Sequence, residues 1–475
     1  MLQQQTEIEA LFDAAGRLAA DALQSNQDRT HPVVHRVSPE ELIRCLELEL
    51  PTEGRGLESV LDLARKTLHY SVRTGHPRFM NQLFGGFDAA AILGEWICAL
   101  TNTSMYTFEA APVGTVVELA LIERLNRFVG FENGEGVFAP GGSVSNLISV
   151  LAARHRAFPH VKDEGLRPSD RPVMFTSAEA HYSLQRAGMI AGLGRNGTVC
   201  VPVDEVGRMI PGELERCILE ERRKGRTPFF VAATAGTTVP GAFDPIDEIA
   251  NVAERHGLWM HIDGSYGGSV LLSRQHRHLM RGCERADSIA WNPHKMMGVP
   301  LSSSATLMRT KGSLVSTMGM NADYLFHEES DANWDLGDRT LQCGRRVDAL
   351  KLWFSWQVLG DRGFEARVDG LFDQASRMRE LVREREGFRL IREQEGANVC
   401  FRYLPRAHRS AAGEERDRHE HEATLRIRGK LAEEGSFLVN YASLDGAATF
   451  RLVASNPDTT EEDQTALLDA IEAED

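Results

Sequence analysis

Between residues 137 and 308 the chain alternates short apolar runs with stretches whose apolar residues recur at helical spacing. Val137-Phe138-Ala139, Val173-Met174-Phe175-Thr176 and Phe229-Phe230-Val231-Ala232-Ala233-Thr234 read as strands. So do Leu258-Trp259-Met260-His261-Ile262, the run around Ile289, and Ala305-Thr306-Leu307-Met308. Helices are predicted over 112–130, 182–191, 212–224 and 246–256. The first of these carries Val113, Val116, Val117, Ala120, Leu125 and Phe128 on one side. Strands apolar on both faces and separated by helices indicate an α/β fold, its mainly parallel sheet covered on both sides.

The flanks differ. Residues 1–75 look helical and amphipathic, with Leu11, Leu18 and Leu23 among alanines and polar residues. Pro39-Glu40-Glu41-Leu42-Ile43 starts a helix with acids in its first turn. Such a segment cannot enclose a core and must pack on something, a second subunit being one candidate. Residues 310–345 are polar and irregular, including His327 to Asp338, as expected of a lid. From about 347 a helix carrying Ala349, Leu350, Leu352, Trp353 and Trp356 leads into a small α/β region. Its strands include Asn398-Val399-Cys400-Phe401-Arg402-Tyr403 and Ala448-Thr449-Phe450-Arg451-Leu452-Val453, and the charged stretch 406–421 reads as a solvated loop. The expected domains are an N-terminal helical segment (1–75), a large domain (76–346) and a C-terminal small domain (347–475).

Composition narrows the function. The 475 residues carry a net charge of −15, which argues against a nucleic-acid partner because no basic stripe offsets phosphates. No apolar run approaches the roughly 20 residues a membrane span needs. The start, Met1-Leu2-Gln3-Gln4-Gln5-Thr6-Glu7, predicts no export leader. Seven scattered cysteines, with no Cys-x-x-Cys and no Cys/His cluster, predict reduced thiols in a cytoplasm and no metal.

Candidate chemistry gathers at strand ends. Asp263 closes one apolar run, and Lys295 follows another in Trp291-Asn292-Pro293-His294-Lys295. A lysine amine and a buried carboxylate suit pyridoxal phosphate, whose aldehyde the amine holds as a Schiff base while the carboxylate keeps the ring nitrogen protonated. Pro140-Gly141-Gly142-Ser143 turns from a strand into a helix, whose free N–H groups make a phosphate cradle. Taken singly, each also fits a surface lysine, a strand-end acid or an ordinary turn. Together with Gly236-Thr237-Thr238, they all fall at the carboxyl ends of strands, where ligands bind in such sheets.

Pro140-Gly141-Gly142-Ser143, His181, Thr238, Asp263 and Asn292-Pro293-His294-Lys295 resemble the group II pyridoxal-phosphate-dependent amino-acid decarboxylases. The resemblance runs from about residue 76 to the C-terminus and is nearest the glutamate and cysteine sulfinate (aspartate) decarboxylase branch. Further matching stretches are His76-Pro77-Arg78-Phe79-Met80-Asn81-Gln82-Leu83, Gly241-Ala242-Phe243-Asp244-Pro245, Trp291 to Val299, and Asp348-Ala349-Leu350-Lys351. It implies a fold type I, aspartate-aminotransferase-like architecture and a homodimer with shared active sites. It also implies roles: Lys295 as Schiff-base lysine, Asp263 as partner of the ring nitrogen, His181 stacked on the ring, and Thr238 near the ring hydroxyl. Gly142, Ser143, Asn292 and His294 would surround the phosphate, with Ser265 beside the cofactor. Arg451 would grip the substrate α-carboxylate through a bidentate pair.

By the same resemblance, Phe84, Ser104, Tyr106 and Gln82 would line the side-chain pocket. A bulky Phe84 would shorten it, favouring cysteine sulfinate, aspartate or cysteate over glutamate, although Phe84 is also a reasonable core residue. Gln82 could donate to the distal acid. Two departures stand out. Gly264 follows Asp263 where the family has alanine, which would loosen the backbone under the ring. In the lid, Trp334 stands in Asn333-Trp334-Asp335-Leu336-Gly337-Asp338 where the family has a tyrosine that reprotonates Cα after carbon dioxide leaves. An indole N–H is no useful acid. Protonation would then fall to His181 or water, or the reaction would end in an oxidatively formed aldehyde or be another pyridoxal-phosphate reaction on an unusual amino acid; glutamate decarboxylation is the other alternative within the branch. A non-catalytic binding paralogue is the reading from another class, and the presence of Lys295, Asp263, His181 and Arg451 together speaks against it.

Overall fold

A computed structural model describes residues 2–320, 334–393 and 395–475, with side chains from residue 8 onward. Part of the polar stretch read as a lid, from residue 321 through His327 to Asn333, lies outside these residues.

The chain forms two units. The first comprises Met1–Phe87, Gln374–Ile391 and Ala397–Asp475, and begins its sheet with β1 (Phe79–Met80). The second comprises Asp88–Asp373 and Arg392–Gly396. It holds β2 (Glu135–Ala139), β3 (Pro172–Ser177), β4 (Thr198–Val201) and β5 (Thr227–Thr234). β6 (Trp259–Gly264), β7 (Ser288–Trp291) and β8 (Ser304–Met308) complete it. The first unit resumes with β9 (Phe388–Leu390), β10 (Asn398–Tyr403), β11 (Leu438–Leu444) and β12 (Ala447–Val453).

In the second unit the strand order is β2-β8-β7-β6-β5-β3-β4. The pairs β4/β3, β3/β5, β5/β6 and β6/β7 are parallel, as the alternation of strands and helices requires. β8 runs antiparallel to both β7 and β2. Residues 292–303, which join β7 to β8, contain no helix, and a parallel return needs a long crossover. Every residue of β2, β6, β7 and β8 is buried. The helix Gly142–Ala157 packs Leu147, Ile148, Val150 and Ala153 into one core cluster with Met174, Phe230 and Trp259.

The first unit's sheet has the order β1-β11-β12-β10-β9. Here the amphipathic N-terminal segment finds part of its cover. Val33 is fully buried with Phe79, Ala432 and Leu438, and its N–H donates to the Gly435 carbonyl at 2.7 Å. Arg29 pairs with the buried Asp463 through two hydrogen bonds of 2.7 Å. Phe12 and Leu50 stay exposed, at 60% and 91%.

The stretch 406–421 is not a solvated loop. After a short turn at Arg406–His408, the helix Gly413–Glu434 begins inside it. Glu420, Ala423, Thr424, Ile427 and Leu431 are buried along one stripe of that helix. Glu420 is fully buried and pairs with Arg389 at 2.6 Å, Arg416 at 2.9 Å and Arg402 at 3.9 Å. One of the charges that suggested solvent, Glu420, is thus neutralised inside the fold, by Arg389 and Arg402 from neighbouring strands and by Arg416 one turn away, while Glu414, Glu415 and Arg418 remain exposed.

Candidate active site

The site of the second unit is built from strand ends and the turns behind them. β6 ends at Asp263 and Gly264, and β7 lies beside it in parallel with Ala290 opposite Asp263. The chain then turns through Asn292-Pro293-His294, the Lys295 N–H donating to the Asn292 carbonyl at 3.0 Å. Gly298 adopts φ +73° in the same turn and presses against the Arg367 guanidinium, which donates to the Met296 carbonyl at 2.8 Å. A side chain there would displace Arg367 and release the turn that presents Lys295.

Asp263 is 4% exposed. Burial pushes its carboxyl up, but the Lys295 charge and hydrogen bonds from Ser265 and Asn146 outweigh it and hold the group below its ordinary value. The Ser265 N–H reaches Oδ1 at 3.1 Å and the Asn146 amide reaches Oδ2 at 2.9 Å. Burial drives the Lys295 amine down, and the Asp263 charge opposes that shift. A carboxylate that stays ionised thus faces an amine that desolvation makes easier to deprotonate.

Asn146 ties this pair to two histidines. Its amide also donates to Ser183 Oγ at 3.0 Å, and its carbonyl meets His261 Nε2 at 3.0 Å. Ser183 Oγ in turn meets His181 Nδ1 at 2.8 Å. His261 is fully buried and its pKa falls to about 4 through desolvation, so it is neutral at ordinary pH. Half-buried His181 is also lowered by burial, against the attraction of Asp263.

The Gly-Gly turn comes close to the same cluster. A Cβ on Gly142 would stand 2.5 Å from Ser265 Oγ and 2.7 Å from Asn292 Nδ2. The helix therefore starts where bare backbone meets two polar side chains, and Ser143 in its first turn is exposed. Asn292 is held by Ser304 Oγ at 2.6 Å, and His294 Nδ1 sits 2.5 Å from the Ser303 carbonyl, with its pKa lowered to about 4 by burial. Thr238 is half-buried in the turn after β5. Free helix N–H groups, small residues and neutral polar side chains fit a phosphate, and the Lys295–Asp263 pair fits a pyridine aldehyde. The residues present are those pyridoxal phosphate needs.

Gly264 does not loosen its strand. A Cβ there would lie 3.0 Å from the Ala290 carbonyl and 3.3 Å from Gly268 Cα, so the glycine permits close backbone packing. Ser104 and Tyr106 lie on a segment tied to the described C-terminal part of the stretch read as a lid. The Met105 N–H donates to the Arg345 carbonyl at 3.0 Å, the Gly337 N–H to the Tyr106 carbonyl at 2.9 Å, and the Phe108 N–H to Asp335 at 2.7 Å. Trp334 is 43% exposed, its ring 6.0 Å from that of Phe108.

Gln82, Phe84 and Arg451 belong to the first unit. Phe84 is half-buried against Val33, Phe79, Ala432 and Leu438, so part of its ring serves the core. Arg451 on β12 is buried and donates to the Asn81 carbonyl at 2.6 Å, next to Gln82.

Sequence reasoning missed Asn146, Ser183 and His261 as members of the cluster. A signal existed for two. Asn146 lies four positions beyond Gly142 on one helix, and His261 lies two before Asp263 on one strand, so each pair shares a face.

Comparison with known proteins comes to the same place. Residues 39–404 match the family described as the pyridoxal-dependent decarboxylase conserved domain. The chain is similar to the cysteine sulfinic acid decarboxylases of Mus musculus and Homo sapiens, each 42% identical over 472 residues, covering 98% of this chain and 96% of the relative. It is 40% identical to an acidic amino acid decarboxylase of Bos taurus, covering 97% of this chain and 89% of that one. The crystal structure of mouse CSAD superposes with a TM-score of 0.95 at 42% identity, covering 98% of both chains. That of Oryza sativa TDC with PLP and tryptamine gives 0.90 at 25% identity, over 99% of this chain and 97% of that one.

Proposed function

Because this chain belongs to the pyridoxal-dependent decarboxylase family, we propose that it removes the α-carboxylate of cysteine sulfinate, aspartate or cysteate, leaving the amine. It is a carboxy-lyase acting on acidic amino acids with pyridoxal phosphate as cofactor. The observation that carries the assignment is the buried Asp263 carboxylate, held ionised beside Lys295 and pinned by Asn146. The choice among acids rests on the bulk of Phe84 and on the names of the similar proteins.

When bound, pyridoxal phosphate supplies an electron-withdrawing ring joined to the substrate's amino group, which accepts the electrons of the breaking Cα–carboxylate bond. In this reading the Lys295 amine would hold the cofactor's aldehyde. Asp263 keeps a proton on the ring nitrogen, which its own lowered pKa favours. Gly142, Ser143, Asn292 and His294 would hold the phosphate, and Thr238 and Ser265 would serve the ring. Arg451 orients the α-carboxylate, and Gln82, Phe84, Ser104 and Tyr106 select the side chain. His181 carries, as its imidazolium, the proton that returns to Cα, a task Trp334 cannot perform because an indole N–H is not an acid in this range.

Two wider statements belong to the same reading. The chain works as a homodimer, which the exposed Phe12 and Leu50 of the N-terminal segment support. It acts in the cytoplasm, in keeping with seven cysteines that are all unpaired.

The test is to supply the cofactor-loaded protein, in air, with aspartate, cysteine sulfinate, cysteate and glutamate. Amine, aldehyde and peroxide are then followed by mass spectrometry and a peroxide assay. Amine from the three shorter acids is expected, and Lys295→Ala should abolish both turnover and the visible absorbance of lysine-bound cofactor. Preference for glutamate would overturn the Phe84 argument. Aldehyde with peroxide would favour the second reading, in which Trp334 leaves Cα unprotonated long enough to meet oxygen.

A further inference from the structure

A line of hydrogen bonds runs from a buried indole on β6 to His181, and its donors and acceptors fix one another. The Trp259 indole can only donate, and it does so to Ser288 Oγ at 2.8 Å. Ser288 Oγ lies 2.9 Å from His261 Nδ1. At its far side His261 places Nε2 3.0 Å from the Asn146 carbonyl oxygen, an acceptor, so Nε2 must carry the ring proton. His261 is neutral and has only one such proton, so Nδ1 is bare and accepts the Ser288 hydroxyl. The orientation of Asn146 is fixed independently by Asp263. An ionised carboxylate can only accept, and the amide nitrogen faces it at 2.9 Å.

The same amide nitrogen has a second hydrogen, which it gives to Ser183 Oγ at 3.0 Å. Ser183 is buried, and the group in reach of its own hydroxyl hydrogen is His181 Nδ1 at 2.8 Å. The Ser183 backbone N–H points at that nitrogen too, at 3.3 Å. A ring nitrogen approached by an N–H is an acceptor.

We infer that Asn146 and Ser183 are positioning residues that transmit the ionised state of Asp263 to His181, holding its Nδ1 as an acceptor and its single ring proton on Nε2. The group that keeps the cofactor's ring nitrogen protonated thereby also decides which nitrogen of neutral His181 carries the hydrogen and which is bare. That His181 gives it to substrate rests on the function proposed above; the tautomer does not.

The experiment is nuclear magnetic resonance of the full chain, cofactor-loaded and carrying ring-labelled histidine. The His181 signals are identified by their loss in His181→Gln. Wild type should show Nε2 protonated and Nδ1 bare from neutral to mildly alkaline pH. Ser183→Ala removes a donor that favours the neutral ring and should raise the His181 pKa by about half a unit to one unit. Ser183→Thr keeps the hydroxyl and should restore it. Asn146→Ala cuts the link to Asp263 and lets the Ser183 hydroxyl accept as well as donate, so a minor fraction protonated on Nδ1 should appear against the longer 3.3 Å backbone contact. A proton on Nδ1 in wild type would overturn the inference, and so would unchanged His181 signals in both Ser183→Ala and Asn146→Ala. Protein that decarboxylates normally while showing either result loses the relay and keeps the function. Failure to bind pyridoxal phosphate would count against the function alone, since the tautomer can be read without it.

Discussion

At the scale of single residues, what matters at this site is which atoms are left bare. Gly142 carries no side chain where one would strike Ser265 and Asn292. Gly142→Ala should therefore fold but weaken cofactor binding by roughly tenfold, the effect of about 1.4 kcal/mol at one anion contact. Equilibrium dialysis against pyridoxal phosphate would show it, and unchanged affinity would remove Gly142 from the phosphate cradle. Trp334 offers the opposite experiment. If His181 alone returns the proton to Cα, Trp334→Tyr adds a second acid and should speed amine formation, by up to roughly 10²-fold. Identical rate and products in the variant would show that the position has no part in protonation. Lys295, Asp263 and the Gly-Gly turn were legible because each sits at a strand end marked by its own neighbours. Asn146 was not, because it meets Asp263 117 positions away in the chain. Its helical spacing from Gly142 puts it on the face of the Gly-Gly turn, but nothing local names Asp263 as its partner.

At the scale of elements, apolar strands were easy to read and charged helices were not. The β5, β6 and β7 runs are apolar on both faces, which only a covered sheet explains. β4 (Thr-Val-Cys-Val) escaped because a four-residue edge strand has too little pattern to mark it. The helix Gly413–Glu434 misled because its first two turns are crowded with charge. Its buried carboxylate supplies a sharp prediction. Removing one member of a buried ionic cluster leaves the others uncompensated, so Glu420→Ala should cost about 3–5 kcal/mol. Urea unfolding measures this directly, and a loss below about 1 kcal/mol would mean that Arg389, Arg402 and Arg416 find other partners. The antiparallel β8 belongs to the same lesson. Its direction follows from a connection without a helix, not from anything in the strand itself.

At the scale of the whole molecule, buried titratable groups set the response to acid. His261 and His294 have an ordinary pKa of 6.5 and are held at about 4 in the fold. As pH falls from 6.5 towards 4, the unfolded chain takes up protons that the native state refuses, and the stability these residues contribute above 6.5 is lost. Buried Asp244 works the other way: its carboxyl is raised from 3.8 to about 7 by desolvation, so its contribution fades as pH rises through that window. Two imidazoles outweigh one carboxyl. Denaturant titrations of the cofactor-free protein should therefore show a net loss of roughly 2 kcal/mol between pH 7 and pH 4.5. A flat profile would show that other groups cancel the pair. By itself the sequence determined the α/β class, the strand ends that carry Asp263 and Lys295, and the cofactor, because periodicity and close-spaced motifs are local properties. Only the tertiary structure decided that the N-terminal segment packs against Gly435 and Asp463, that Glu420 is an internal ion, and that Asn146 joins Asp263 to His181. Those are contacts between distant positions, and a hydrogen bond or ion pair has no signature in the chain until folding brings its two halves within 3 Å or so.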